Sequence, residues 1–386
     1  MTNQFRYTSY AQEIIFGPGS ITHLGEAIER FHWQRLMVCA SGSLRRDGTI
    51  AAIEGTLGNR LVATYEQVQP HVPDFQVAEA LAIASKHEVD ALIGLGGGSC
   101  IGMAKALSKG MGEQRTGQGD NEGEDAINRV PTPVIAIPTT YAGSEMTPVY
   151  GVTHHSDGLA HKITVTDNNI LPKLVIYDPL LTRKLPPAMT ASTGINALAH
   201  CIEALYSITR NPLSTAAALG GIRAISSALP RCYVDGDDLE ARSEMLSGAF
   251  LAGSALAHVA MALHHGLCHV LGGTAGVPHG VANSIVLPHV MRFNLDATAP
   301  QLAQGAEAMG ISLAGRSAES AVEEAIQRVY DLIGQMNLPQ RLRDVGVQET
   351  DLPHLARVAL QSRAVQSNPK PISDVAQIEE VLRAAW

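Results

Sequence analysis

Apolar and polar positions follow two different patterns along the chain, and the change lies near residue 185. Before it, short runs rich in Val, Ile and Leu alternate with helical stretches, which is typical of a mainly parallel sheet with crossover helices. The predicted strands lie in RLMVCAS (35–41), ALIGLGGGS (91–99), TPVIAIPTT (132–140) and KLVIYDP (173–179). Ligands bind beyond the carboxyl ends of strands in such sheets, so the pattern predicts a ligand site there.

The second pattern is helical. Pro186 and Pro187 interrupt the chain, and long Ala- and Leu-rich helical patterns follow them. We therefore expect an α/β domain over 1–185 and a helical domain over 186–386. The polar stretch GEQRTGQGDNEGED (112–125) is predicted to be a surface loop.

Composition narrows the class of protein. The chain has 386 residues, of which 45% are apolar and 17% charged, and this balance favours a two-domain enzyme with a cleft. The net charge of −9, without a Lys- or Arg-rich block, argues against nucleic acid as a partner. No apolar run approaches the roughly 20 residues that cross a bilayer, and the N-terminus does not resemble a signal peptide, so we expect a cytoplasmic protein with no membrane partner.

The cysteines add little chemistry. They are odd in number and isolated, which favours reduced, buried thiols over a disulfide framework or a thiolate zinc site. The five positions are Cys39, Cys100, Cys201, Cys232 and Cys268.

A glycine run that begins at Gly96 follows the predicted apolar strand ALIGL (91–95). Gly97, Gly98 and Ser99 lead from this strand into a helical pattern, where glycines let the backbone approach a diphosphate and the helix N-terminus offers N–H groups. A tight strand-to-helix turn needs glycine anyway, so the run alone is weak evidence. The loop PTTYAGSE (138–145) adds hydroxyl groups at an equivalent strand end. Two such loops favour a dinucleotide site over packing.

Histidines recur at helical spacing in the second half. Asn196 and His200 lie four residues apart, His265 and His269 repeat that spacing, and His279 follows. A single histidine on an Ala/Leu-rich helix is usually a buried structural residue, but several at ligand spacing favour a functional cluster. His264 is an additional histidine, for which a role near substrate and a packing role are equally open.

These motifs together resemble one family. GGGS (96–99), PTTYAGSEMT (138–147), Lys162, LVIYDP (174–179) and the histidines occur in the order and spacing of the iron-containing alcohol dehydrogenases. The resemblance implies an α/β N-terminal dinucleotide-binding domain and an all-α C-terminal domain, an architecture shared with dehydroquinate synthase. It also implies that NADH or NADPH is the cofactor. By the same resemblance the diphosphate is bound by Gly97, Gly98 and Ser99, the nicotinamide side is lined by Thr139, Thr140 and Ser144, and the ribose is reached by Lys162.

Cofactor preference depends on the residue after the second predicted strand. Strict NAD users of the family often have an Asp there, which repels a 2′-phosphate, whereas this chain has Ser41 followed by Arg45 and Arg46. We therefore expect both NADH and NADPH to be used.

The histidine set departs from the family pattern. Family members hold a divalent metal with an Asp at position 196 and with histidines matching His200, His265 and His279, and the residue matching His269 lies by the nicotinamide. This chain has Asn196 instead of the acid. The substitution, the shortened 138–147 loop and Gly102 in place of an Asp resemble the maleylacetate reductase branch, which reduces the carbon–carbon double bond of maleylacetate to give 3-oxoadipate.

That branch implies a small dicarboxylate substrate, a homodimer, and catalysis that does not require a metal. The candidate catalytic residues are Asn196, His200, His265, His269, His279 and, in addition, Tyr141. Two alternatives remain: a metal-dependent alcohol or aldehyde oxidoreductase with Asn196 as a neutral ligand, and a lyase or cyclase that uses NAD catalytically, like 3-dehydroquinate synthase. A non-catalytic binding protein is disfavoured, because both cofactor loops and the histidines are present.

Overall fold

The structure is a computed structural model that describes residues 4–116, 131–156 and 159–386. Within these ranges, the side chains of residues 115–116, 155–156 and 159–162 lie outside the description. The chain divides into an α/β unit, Tyr10–Thr140 with Ser144–Lys184, and a helical unit, Met1–Ser9 with Tyr141–Gly143 and Leu185–Trp386. The main division lies one residue from the predicted boundary. Two short segments, however, group with the helical unit although they precede that boundary in sequence.

The α/β unit is built on parallel strands. Its strands are β1 (Glu13–Phe16), β2 (Leu36–Cys39), β3 (Leu61–Tyr65), β4 (Ala91–Gly96), β5 (Val134–Pro138), β6 (Val149–Ser156), β7 (Leu159–Thr166) and β8 (Leu174–Tyr177). Its helices are α1 (Leu24–Arg30), α2 (Gly42–Arg46), α3 (Thr49–Leu57), α4 (Asp74–Lys86) and α5 (Gly98–Thr116). The parallel sheet has the order β1-β8-β5-β4-β2-β3, and β6 pairs with β7 in a separate antiparallel hairpin.

The predicted strands are confirmed as β2, β4, β5 and β8, whereas β1, β3 and the hairpin were not predicted. The predicted loop at 112–125 is wrong in its first part, because α5 continues through Thr116. The remainder of that stretch, residues 117–125, lies outside the described residues.

Alternation along the strands explains why both faces of the sheet are covered. In β2, Leu36 and Val38 pack into a core with α1 and α3, while Met37 and Cys39 pack into a second core with α4 and α5. A strand buried on both faces is apolar at every position, which is why it appears as a continuous apolar run.

The register of the sheet places two loops side by side. Gly96 at the end of β4 pairs with Pro138 at the end of β5, so residues 97–99 and 139–140 leave the sheet at the same edge. This is the edge at which parallel α/β sheets bind ligands.

The helical unit contains α6 (Pro187–Tyr206), α7 (Pro212–Val234), α8 (Leu239–Leu256), α9 (Leu263–Ala275), α10 (His279–Ala308), α11 (Ala318–Gln335), α12 (Leu352–Leu360), α13 (Arg363–Gln366) and α14 (Val375–Ala384). Helix α6 begins with Pro187, whose fixed φ suits the first helical position. Residues 197–199 and 201–202 on this helix are buried apolar core. Among the described residues, we find no helix that is both long and apolar enough to span a bilayer.

Candidate active site

The glycine loop of the α/β unit is shaped by a close approach to the next strand end. Gly96 has φ +133°, which L side chains rarely adopt, and a Cβ at Gly97 would lie 3.2 Å from Cγ2 of Thr140. The Thr139 amide donates to the Gly96 carbonyl at 3.0 Å. The two predicted cofactor loops are therefore in contact, next to the N-terminus of α5, where backbone N–H groups favour a bound anion.

Ser144 is held by a buried lysine that sequence reasoning missed. Lys105 on α5 is fully buried, and its Nζ donates to the carbonyls of Ser144 at 2.5 Å, Thr147 at 2.6 Å and Val149 at 3.0 Å. Burial lowers the pKa of Lys105 to about 7, against a smaller opposing effect of Glu145. A lysine within an otherwise apolar helical stretch, MAKAL, was the available signal.

A buried carboxyl group supports the same loop. Glu145 is 1% exposed and accepts a hydrogen bond from the Tyr177 hydroxyl at 2.8 Å, while Gln12 donates to its backbone carbonyl at 2.9 Å. Burial raises the pKa of Glu145, and the hydrogen bonds and Lys105 oppose that shift. Side chains of α5, of β8 and of the chain before β1 therefore hold the segment that follows Ser144.

The position beside the predicted ribose lacks a carboxylate. Ser41 precedes α2 as its N-cap residue, and its hydroxyl lies 2.8 Å from that of Ser43. Arg45 is held by Glu54 at 2.6 and 2.7 Å and by Glu66 at 2.6 Å, so its charge is already compensated. Arg46 is exposed, with a guanidinium nitrogen 3.5 Å from the Cβ position of Gly42. Of the two arginines, Arg46 is therefore the one available to a 2′-phosphate.

Lys162 lies in β7, where its backbone pairs with Thr153 of β6. Its side chain is outside the described part of the structure, so the predicted contact with the ribose stays a prediction.

In the helical unit, one face of α6 carries Asn196, His200 and Glu203, at the spacing of successive helical turns. Asn196 is 5% and His200 4% exposed. Asn196 Nδ2 lies 3.5 Å from the Ala142 carbonyl, and a Cβ at Gly143 would lie 3.7 Å from His200 Nδ1. Asn196 Oδ1 and His200 Nδ1 have no hydrogen-bond partner among the described residues.

Glu203 was also missed by sequence reasoning, although it continues the Asn196–His200 face. Its carboxyl group is fully buried against the start of α9. One oxygen accepts the backbone N–H groups of Ala262 at 3.1 Å and His264 at 3.0 Å, and the other bonds the ring Nδ1 of His265. Burial raises the pKa of Glu203, whereas His264 and the backbone N–H donors lower it.

Four histidines form what we call the histidine cluster: His200, His265, His269 and His279. The rings of His200 and His265 stack with centroids 4.5 Å apart, His265 and His279 are 6.2 Å apart, and His269 and His279 are 5.8 Å apart. Exposure rises along this series, since His200 and His265 are buried, His279 is half-buried and His269 is exposed. The structure thus brings together the four histidines that the sequence singled out.

Electrostatics divide the cluster. Burial lowers the pKa of His200 well below its usual value, and the neighbouring His265, His264 and His269 lower it further. His264 is fully buried, burial lowers its pKa, and its Nε2 contacts the Asn283 carbonyl at 3.1 Å. His200 is therefore neutral near pH 7, and His264 is engaged within the protein.

Tyr141 is fully buried in the helical unit. Its hydroxyl accepts a hydrogen bond from Arg242 at 2.9 Å, and Arg242, itself 1% exposed, also donates to Thr190 at 3.0 Å. This bond fixes the Tyr141 ring, so a catalytic role for its hydroxyl stays a prediction that competes with a structural one.

A divalent cation is compatible with the donor atoms. Asn196 Oδ1 and His200 Nδ1 are buried ligand-type atoms that a bound group would satisfy, the His265 ring stacks on that of His200, and the His279 ring lies next to that of His265. Among the described residues, the set of three whose ligand atoms lie mutually within 4.8 Å is instead Glu203, His264 and His265. The ligand atoms of His200, His265 and His279 are not grouped as closely, and that set contains no carboxylate.

Comparisons with known proteins agree with this layout. Residues 11–179 match the family described as iron-containing alcohol dehydrogenase, and residues 190–386 match the C-terminal part of the same family. The chain is 35% identical to a maleylacetate reductase of Burkholderia cepacia over 370 residues, which is 96% of this chain and 94% of that protein. It is 36% identical to a maleylacetate reductase of Pseudomonas knackmussii over 359 residues, 93% of this chain and 91% of the relative.

Solved structures give the same result. The crystal structure of maleylacetate reductase from Agrobacterium tumefaciens superposes with a TM-score of 0.83 at 32% identity, covering 99% of this chain and 98% of that one. A crystal structure described as 1,3-propanediol oxidoreductase has a TM-score of 0.90 at 32% identity, covering 99% of this chain and 100% of that one. The chain therefore belongs to the iron-containing alcohol dehydrogenase family, whose members are nicotinamide-dependent oxidoreductases.

Proposed function

We propose that the protein reduces maleylacetate, or a chlorinated analogue, to 3-oxoadipate with NADH or NADPH during bacterial breakdown of aromatic compounds, as a homodimer in the cytoplasm. The observation that carries the proposal is Asn196, buried on the α6 face where the family has an acid, in a chain that matches maleylacetate reductases over nearly its whole length. The dicarboxylate substrate suits a cluster of neutral hydrogen-bonding groups, since a carboxylate at position 196 would repel it.

The reaction requires a hydrogen-bond donor and a proton donor from the protein. When bound, NADH or NADPH would supply a hydride to one carbon of the double bond, which would leave negative charge on the conjugated ketone oxygen. Residues of the histidine cluster then donate a hydrogen bond to that oxygen and a proton to the adjacent carbon. His269 is the proposed proton donor, because it is exposed and can regain its proton from water. His200, which burial keeps neutral, is suited to hydrogen bonding.

We further propose that turnover does not require a bound metal. A divalent ion would polarise the ketone oxygen, and Asn196, His200, His265 and His279 would hold it. A carboxylate ligand also offsets part of the cation's charge, whereas the Asn196 amide contributes only a neutral oxygen, so affinity falls. His₃ sites do bind zinc elsewhere, and for that reason activity, rather than metal content, has to be the measurement.

The test is NADH and NADPH oxidation by purified protein, before and after exhaustive chelation, against maleylacetate, small aldehydes and dihydroxyacetone. We expect rapid oxidation with maleylacetate that survives chelation. His269→Ala should lower turnover by roughly 10²-fold. The matched control is His354→Ala, which removes an exposed histidine of the same unit that lies on α12. No oxidation with maleylacetate would overturn the substrate proposal.

A metal-dependent alcohol or aldehyde oxidoreductase is the second candidate, favoured by the structural likeness to 1,3-propanediol oxidoreductase. It predicts activity with small aldehydes that chelation abolishes and added metal restores. That result would replace the metal-free mechanism.

A further inference from the structure

We propose that Glu203 is a positioning residue that fixes the tautomer of His265, so that Nδ1 carries the proton and Nε2 presents a lone pair to the histidine cluster. The placement of three buried groups, Glu203, His264 and His265, carries this inference. The tautomer itself does not depend on which substrate the enzyme reduces.

Hydrogen-bond donors surround the carboxyl group of Glu203. Backbone N–H groups can only donate, so one oxygen of Glu203 accepts two hydrogen bonds, from Ala262 and from His264. The other oxygen bonds His265 Nδ1. A carboxylate that receives two backbone N–H bonds is stabilised in its charged form, and a charged carboxylate accepts the Nδ1 proton.

The His264 ring constrains His265 in a way that does not involve the charge on Glu203. His264 Nε2 lies 3.1 Å from the Asn283 carbonyl, which only accepts, so Nε2 of the neutral His264 ring carries the proton and Nδ1 carries the lone pair. That Nδ1 lies 3.3 Å from His265 Nδ1. If His265 Nδ1 also carried a lone pair, as it would when accepting from a protonated Glu203, two lone pairs would face each other. The 3.3 Å contact with His264 therefore favours the same tautomer as the hydrogen bond with Glu203, which is the shorter of the two contacts.

The opposite ring nitrogen of His265, Nε2, is left with the lone pair. With Nδ1 protonated, Nε2 of neutral His265 accepts hydrogen bonds or ligates a cation and does not donate. Under the proposed function, on which this consequence rests, His265 does not donate a hydrogen bond to the ketone oxygen while it is neutral. That task falls to other members of the cluster.

Glu203→Gln separates the two roles of the carboxyl group. The amide oxygen can still accept from Ala262 and His264, and the opposite orientation would set the NH₂ group against two N–H donors. The NH₂ group therefore faces His265 Nδ1 and donates to it, which moves the ring proton to Nε2. The cap on α9 is kept while the tautomer is reversed.

The experiment is ¹⁵N NMR of metal-free protein labelled in histidine, with the His265 signals assigned by their loss in His265→Gln. We expect an Nδ1–H, Nε2-bare ring in the wild type and the reverse in Glu203→Gln. In parallel, Zn²⁺ titration should show about 10- to 100-fold weaker binding to the variant, the usual effect of losing a partner that orients a ligand. Glu145→Gln is the matched control, because it neutralises another buried carboxyl group, in the α/β unit, and should change neither measurement.

Either of two results would overturn the proposal: an Nε2–H ring in the wild type, or an unchanged tautomer in a folded Glu203→Gln. If the variant does not fold, the wild-type spectrum still decides the tautomer. Absence of maleylacetate reduction would refute the proposed function and leave both of these measurements unaffected.

Discussion

Removal of the buried Lys105 ammonium group tests the interior of the α/β unit most directly. The perturbation is Lys105→Met, which fills the same space with an apolar chain. Relative to the charged side chain, three carbonyls then lose their donor, at about 1 to 3 kcal/mol for each unsatisfied group. The titration of Lys105 makes the difference in free energy of unfolding between the wild type and the variant depend on pH. Measurement of that difference at two pH values isolates this contribution.

The direction of this pH dependence follows from the lowered pKa of Lys105. Burial lowers the pKa of Lys105 from 10.5 to about 7, so above pH 7 the folded chain releases a proton that the unfolded chain retains until about pH 10.5. The unfolded state then binds more protons, and the free energy of unfolding of the wild type rises with pH. Between pH 7 and pH 9 the gain is roughly 2 kcal/mol, and Lys105→Met cannot share it. The variant should therefore be more destabilised at pH 9 than at pH 7 by that amount.

Urea unfolding followed by Trp33 fluorescence measures this difference, in a Trp386→Phe background because Trp386 belongs to the helical unit. Lys109→Met is the control: Lys109 lies one turn further along α5, is partly exposed and pairs with Glu113 at 2.9 Å, an interaction that raises its pKa. Its contribution should not change between pH 7 and 9. An equal loss of stability for Lys105→Met at both pH values would refute the reasoning, and would mean that the three carbonyls keep Lys105 charged.

Three further substitutions test the site. Gly98→Asp should weaken NADH binding, measured by fluorescence titration, because it places a side chain and a negative charge where the diphosphate is expected; undiminished affinity would contradict the assignment. Ser41→Asp should shift the preference towards NADH by on the order of 1 to 3 kcal/mol, and an unchanged NADPH to NADH ratio would remove Ser41 from the ribose site. Gly143→Ala places a Cβ at φ +78°, 3.2 Å from Gly253 Cα and 3.7 Å from His200 Nδ1, so thermal stability and turnover should both fall; retention of both would show that the loop adapts freely.

The local pattern of apolar residues was sufficient to predict four strands of the parallel sheet. β2, β4, β5 and β8 are buried on both faces, so each is a short apolar run that ends in turn residues. β1 and β3 were missed because they contain positions that are only partly buried and show no continuous apolar signal. The polar residues at 112–116 were taken for a loop, but they extend a helix whose apolar face lies earlier in the sequence.

For the site, sequence identified the groups that repeat at regular spacing and missed those defined by tertiary contacts. Asn196 and His200 stand at helical spacing, as do His265 and His269, and such spacing predicts a shared face for each pair. Lys105 acts through carbonyls 39 to 44 residues away, and Glu203 through N–H groups about 60 residues away. A single charged residue in an apolar helix gives no sign of which distant backbone groups will surround it.

Positions 196 and 203 on α6 have different consequences for the chemistry of this cluster. An acid at position 196 would face the Ala142 carbonyl, and the adjacent Gly143 lies beside His200 Nδ1, so such an acid could bind a cation directly. Glu203 lies two turns later on the helix. One of its oxygens accepts from backbone N–H at the start of α9 and the other bonds His265 Nδ1, so its negative charge can act on a ligand only through the His265 ring. With Asn196 in place, the donors that face a ligand are neutral, and the remaining carboxylate sets the direction of one imidazole.

A cluster of this kind suits an anionic dicarboxylate better than a cation, and Asn196→Asp should reverse that order by raising Zn²⁺ affinity without improving maleylacetate reduction. If Asn196→Asp instead raised the rate of maleylacetate reduction together with zinc affinity, the cluster would have to be regarded as a weakened metal centre.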